Sequence, residues 1–200
     1  MPDFSLEELA RGEGHAVVAG VDEAGRGPWA GPVVAGAVIL DVETLTAALR
    51  FGLDDSKKLS PARRNELFEL LGAEATIGVG RADVAEIDAV NILEATMRAM
   101  ARAVDALGHR PDLTLIDGNR APTLPCKVRC VVGGDGKSLS IAAASIVAKV
   151  TRDRLMVELA ARFPGYGTAE HRDALMRLGV SDQHRRSYAP VRKMLGATDA

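Results

Sequence analysis

The chain is poor in cysteine and has no long apolar run. Its two thiols, Cys126 and Cys130, are too few for a disulfide framework and lack the further Cys or His ligands of a structural zinc site. Reduced thiols in a cytosolic protein are expected. Residues 1–14 are acidic without an apolar core of signal-peptide length, and no segment approaches the roughly 20 apolar residues of a membrane span. A soluble, cytoplasmic protein is expected. Neither G-x-G-x-x-G nor G-x-x-x-x-G-K-[ST] occurs, which argues against a dinucleotide or P-loop enzyme. There is also no Pro/Gly/Ser-rich linker, repeat or low-complexity tract. With 200 residues, 47% of them apolar, the sequence reads as one domain over 1–200.

Charge is nearly balanced overall, at −2, but not along the chain. Residues 1–100 carry 9 Lys/Arg against 17 Asp/Glu, whereas residues 101–200 carry 16 against 10. A basic surface built from the second half would suit nucleic acid, although a solvated basic face explains the same asymmetry.

Short apolar runs at 16–21, 33–40, 75–80, 113–116 and 127–132 read as strands, the first two joined by a Gly31-Pro32 turn. Ser60-Pro61 looks like an N-cap and first helical position, opening a helix through Leu71. Helical spacing continues over 91–107, an alanine-rich 138–163, and 173–178 and 188–195. Two successive strands, then strands alternating with helices, predict an α/β fold with a mixed five-stranded sheet flanked by helices.

The acidic residues fall at strand ends. Asp22 and Glu23 close the first run, Asp117 closes the fourth and Asp135 follows the fifth. Taken singly, such an acid reads as a turn former or helix cap. Repeated on strands that run parallel, it puts four carboxylates on one sheet edge. Carboxylates packed together repel one another unless cations sit between them, and oxygen-only ligands select Mg²⁺ or Mn²⁺. Two such ions, about 4 Å apart, suit in-line phosphoryl displacement. Adjacent strand residues face opposite ways, so Asp22 and Glu23 are expected to share a site by the strand ending or bulging there.

Gly25-Arg26-Gly27-Pro28 follows at once. Glycines let backbone amides approach a ligand, and amides beside a cation suit a phosphate or a sugar hydroxyl. An ordinary glycine-rich turn with a surface arginine is the competing reading.

Taken together, Gly20 to Pro28, Asp55-Ser56-Lys57-Lys58-Leu59, Ile116-Asp117-Gly118-Asn119, Ser140 to Asp153 and His184-Arg185-Arg186-Ser187-Tyr188 resemble bacterial ribonuclease HII, in family order. The resemblance implies a ribonuclease H-like sheet over about 15–163 and a helical, substrate-binding C-terminal extension over about 164–200. It implies an Mg²⁺- or Mn²⁺-dependent endonuclease that cuts the RNA strand of RNA/DNA hybrids. The same enzyme would incise 5′ of ribonucleotides embedded in duplex DNA, a ribonucleotide-excision activity, and would work as a monomer. By motif, Asp22, Glu23 and Asp117 would be the metal ligands, with Asp135 as the fourth acid; a two-metal mechanism would have Asp22 bridge the ions. Gly25, Arg26 and Gly27 would read the 2′-hydroxyl, the group that separates RNA from DNA. Tyr166 would pack against the sugar next to the cut.

Lys57 and Lys58 are candidate phosphate contacts, with a solvated pair as the alternative. Arg185 and Arg186 would grip the nucleic-acid backbone or pair with surface acids. His171 and His184 are poor ligand candidates in a carboxylate site. Trp29 reads as packing for the loop.

Two departures from the family pattern stand out. Gly133 occupies a position where relatives commonly have lysine, and residues 162–165 replace a longer loop before Tyr166. A ribonuclease H-like nuclease acting on other nucleic acids and a non-catalytic binding protein are the alternatives. Four retained acids argue against the second, because binding a polyanion does not call for clustered negative charge.

Overall fold

The computed structural model describes residues 1–162, 175 and 179–196. Its framework is one five-stranded sheet built from β1 (Val18–Ala24), β2 (Val33–Ile39), β3 (Thr76–Ala82), β4 (Leu113–Asp117) and β5 (Lys127–Val131), in the order β3-β2-β1-β4-β5. β1 pairs antiparallel with β2, and β2 with β3. β1, β4 and β5 run parallel to one another. The carboxyl ends of those three strands therefore lie on one edge, as expected from the acids that close them.

Helices cover both faces. α1 is Ser5–Gly12, α2 Ala47–Arg50, α3 Pro61–Glu74, α4 Val84–Val90, α5 Ile92–Asp105 and α6 Leu139–Arg162. A short helix, Ala189–Met194, belongs to the C-terminal extension. Ser60 caps α3 by accepting from the Arg63 amide (3.2 Å), with Pro61 in the first turn. Asn91, at φ +72°, separates α4 from α5 and caps α5 through the amides of Leu93 and Glu94.

The core forms where small residues let helices sit close on the sheet. A Cβ on Gly20 would lie 2.1 Å from the Ser140 carbonyl carbon, and one on Gly36 2.6 Å from the Ala144 oxygen. α6 thus lies directly on β1 and β2, with Ala142, Ala143, Ala144 and Ala148 fully buried. On the opposite face, Ala95, Ala99 and Ala103 of α5 pack against β2 and β3.

The expectation at the acidic pair is met by the strand's end and not by a bulge. β1 keeps regular register with β2 through Asp22↔Gly36, Glu23↔Ala35 and Ala24↔Val34, then ends at Ala24, with Gly25 at φ +98°. Its pairing with β4 stops at Val21↔Ile116. The antiparallel partner holds the strand straight, and the loss of the parallel partner opens the edge at Asp22 and Glu23. The expected helix at 173–178 lies outside the described residues except at Leu175, which is helical.

Candidate active site

Directly paired residues share a face, so Asp22 stands with Gly36 on the α6 side of the sheet and Glu23 with Ala35 on the α5 side. Asp22 is 6% exposed, and one of its oxygens accepts from the Glu23 amide (2.7 Å). Burial, then the charges of Glu23 and Asp117, and more weakly Asp135, hold the Asp22 carboxyl well above the usual aspartate range. The other three predicted acids therefore all act on the buried Asp22.

Asp117 ends β4 and accepts from the Gly134 amide (2.7 Å). Gly133, at φ +64°, turns the chain into the 3₁₀ turn Gly134–Gly136 that carries Asp135. Burial, then Asp55 and Asp117, raise the Asp135 carboxyl, against the lowering effect of Lys57 and the Gly136 amide. Gly133 itself has open space around it. A side chain there would meet no obstacle, but the left-handed backbone favours glycine.

The four acids converge closely enough for charge to act between them, yet each also has a local partner. Glu23 pairs with Arg26 (3.3 Å), and Asp135 with Lys57 (3.7 Å). Among the described residues no three His, Cys, Asp or Glu side chains are gathered at metal-cage spacing. The donor set itself fits a hard divalent cation: all oxygens, mutually repelling, around a buried carboxylate.

Lys57 belongs to this group. Burial disfavours its charge, but Asp55, Asp135, Asp22 and Asp117 outweigh that and raise the ammonium above the ordinary lysine value. Lys58 turns instead to Asp54 (3.2 Å). Asp55 joins the acidic group although the sequence does not mark it. The Asp55-Ser56-Lys57-Lys58 segment stands out for its lysines, and only folding brings its carboxylate close enough to raise that of Asp135.

The Gly25–Gly27 loop follows β1 directly. Gly25 has φ +98°, and a Cβ there would lie 2.0 Å from Arg152 Nε, so glycine is required twice over. Arg26 and Gly27 are exposed.

The C-terminal basic motif is divided. The expectation that Arg185 grips substrate or pairs with surface acids is corrected: it is fully buried and donates to the carbonyl oxygens of Gly25 (2.6 Å), Arg26 (2.9 Å) and Gly31 (2.8 Å). Arg186 is exposed, with its amide donating to Asp88 (2.9 Å). His184 is buried and accepts at Nδ1 from the Ser181 amide (3.0 Å), a structural arrangement. Trp29 accepts the Arg185 amide through its carbonyl (2.8 Å). Tyr166 and His171 lie outside the described residues.

A mixed sheet of this order, with acids at the carboxyl ends of its parallel strands, defines a nuclease of the ribonuclease H class. The profile of the family described as Ribonuclease HII matches residues 19–191. A Ribonuclease HII of Paramagnetospirillum magneticum is 59% identical over 199 residues, covering 96% of this chain and 97% of its own. The solved ribonuclease H2 of Pyrococcus horikoshii superposes with a TM-score of 0.75 at 30% identity, over 89% of this chain and 96% of that one. Bst-RNase HIII, solved in complex with Mn²⁺, shares the fold at a TM-score of 0.70 and 21% identity, over 90% of this chain and 69% of that one.

The chain belongs to the ribonuclease HII family. It is a nuclease hydrolase, an endoribonuclease acting on RNA/DNA hybrids. Among the described residues no helix is long and apolar enough to cross a membrane.

Proposed function

We propose that hybrid cleavage here depends on Mn²⁺ or Mg²⁺, and that the enzyme also incises 5′ of ribonucleotides embedded in duplex DNA, leaving 3′-hydroxyl and 5′-phosphate ends. The observation that carries this reading is the environment of Asp22. A carboxylate buried among three others gains nothing structurally from its charge, whereas a divalent cation would turn that repulsion into attraction. The Mn²⁺ complex of Bst-RNase HIII is consistent with such an ion.

Asp22, Glu23, Asp117 and Asp135 would hold the cations. Bound there, divalent ions supply Lewis acidity for in-line displacement at phosphorus. The protein's own part is to orient the substrate. Lys57 and the exposed Arg186 meet phosphates, and the Gly25–Gly27 backbone meets the ribose hydroxyl next to the cut. Tyr166 packs against that sugar. The enzyme works as a monomer in the cytoplasm.

Hybrid cleavage followed across a Mn²⁺ titration, with chelator and the Asp22→Asn variant as controls, tests the reading. Activity should rise with the ion, vanish with chelator and be lost in a folded Asp22→Asn protein. Chelator-resistant cleavage, or an active variant, would refute it.

A further inference from the structure

The loop that would face the ribose is held from beneath by two buried arginines. Arg185 donates through Nε and Nη2 to the Gly31 oxygen (3.0 and 2.8 Å), through Nη1 to the Arg26 oxygen and Tyr188 Oη (both 2.9 Å), and through Nη2 to the Gly25 oxygen (2.6 Å). Tyr188 Oη in turn donates to the Arg26 oxygen. Arg152, on α6, donates to the oxygens of Pro32 (3.1 Å) and Ala30 (3.3 Å) and packs against Gly25. Five carbonyls between Gly25 and Pro32 are thus drawn inward.

The base of this clamp is itself fixed. Arg185 N donates to the Trp29 oxygen and Gly31 N to the Gln183 oxygen (2.8 and 2.9 Å), while Ser187 and the Arg186 amide hold Asp88 of α4. Residues 183–188 therefore connect the loop to the helix layer.

In a trans peptide the carbonyl and the following amide point in opposite directions. Drawing the Gly25 and Arg26 oxygens inward consequently turns the Arg26 and Gly27 amides outward. No acceptor among the described residues takes either amide. A guanidinium fork can satisfy several oxygens in fixed geometry, which an ammonium cannot.

We infer that Arg185, assisted by Tyr188, is the positioning residue of the Gly25–Gly27 loop, setting its outward amides so that the enzyme can register on a single ribonucleotide. This rests on the proposed reading of the loop as the ribose sensor. A continuous hybrid offers a 2′-hydroxyl in every register, so a loosened loop can find one by sliding. A lone ribonucleotide offers one register only, and its cleavage is the more demanding of the two.

The test compares kcat/KM for a duplex with one embedded ribonucleotide and for a continuous RNA/DNA hybrid, in wild type, Tyr188→Phe and Arg185→Lys. Reduced folding lowers both rates in the same proportion, so their ratio isolates positioning. Tyr188→Phe keeps the ring and removes two hydrogen bonds, the one accepted from Arg185 and the one donated to the Arg26 oxygen; it should lower the single-ribonucleotide rate relative to the hybrid rate by about fivefold to tenfold. Arg185→Lys should lower it further. Wild type that cuts the single-ribonucleotide duplex, with both variants keeping the wild-type ratio, would overturn the positioning role alone. Wild type that fails to distinguish that duplex from all-DNA would overturn the ribose-sensor reading and this inference together.

Discussion

Lys57 Nζ stands 3.7 Å from Asp135 Oδ2, with its side chain 80% exposed over the acidic edge. The ammonium lowers the Asp135 carboxyl against burial, Asp55 and Asp117. Solvent screens such an exposed pair, so its effect is modest. Lys57→Gln should move the acid limb of the kcat/KM profile to higher pH, because Asp135 then holds its proton longer as pH rises. Weaker substrate binding at low salt should accompany the change. An unshifted limb would separate Lys57 from the site.

Asp22 predicts a stability effect of its own. Its folded-state carboxyl is held well above the usual range, so the native protein binds that proton more tightly than the unfolded chain does. Below about pH 3.9, the ordinary aspartate value, both states are protonated and the group costs nothing. As pH rises above it, wild type loses stability until the folded-state carboxyl ionises as well. In chelator near neutral pH, Asp22→Asn should therefore melt higher than wild type, by about 2–4 °C per kcal/mol of relieved repulsion. The gap should close toward pH 4, as thermal unfolding across pH would show.

Two glycines of one loop should respond differently. Gly25→Ala forces a positive φ on alanine and drives a Cβ into Arg152, so a loss of about 1–3 kcal/mol is expected. Gly27 has a free surround and no positive φ, and Gly27→Ala should stay within about 0.5 kcal/mol of wild type. Urea denaturation of the pair gives both values.

Glu7 ties α1 to the start of α6. It is buried, and Oε1 accepts from Ser138 Oγ (2.6 Å) and the Ser140 amide (2.9 Å). Glu7→Ala leaves those donors unpaired and should cost about 2–3 kcal/mol in denaturant unfolding. Cleavage by the folded fraction should persist.

The sheet was legible in the sequence because each strand is a short apolar run bounded by turn residues, and the observed bounds differ by only a few positions. Three helices were not anticipated. α1 is acidic and its buried face mixes Glu7 with Leu6 and Ala10, while α2 and α4 are too short to show a period. Asp22, Glu23, Asp117 and Asp135 could be placed from strand ends alone. Asp55 could not, since its relation to Asp135 is made by the fold. Arg185 misled for a related reason: a basic residue in a basic motif reads as surface, and only backbone carbonyls brought from 154 to 160 residues away explain its burial.

Mapping the cut in a duplex with one embedded ribonucleotide, in the presence of Mn²⁺, decides whether the enzyme recognises the ribose and where it cuts. A single incision on the 5′ side of that ribonucleotide is expected, with 3′-hydroxyl and 5′-phosphate ends, and none in an all-DNA duplex. Incision on the 3′ side, or equal cutting of all-DNA, would contradict that expectation.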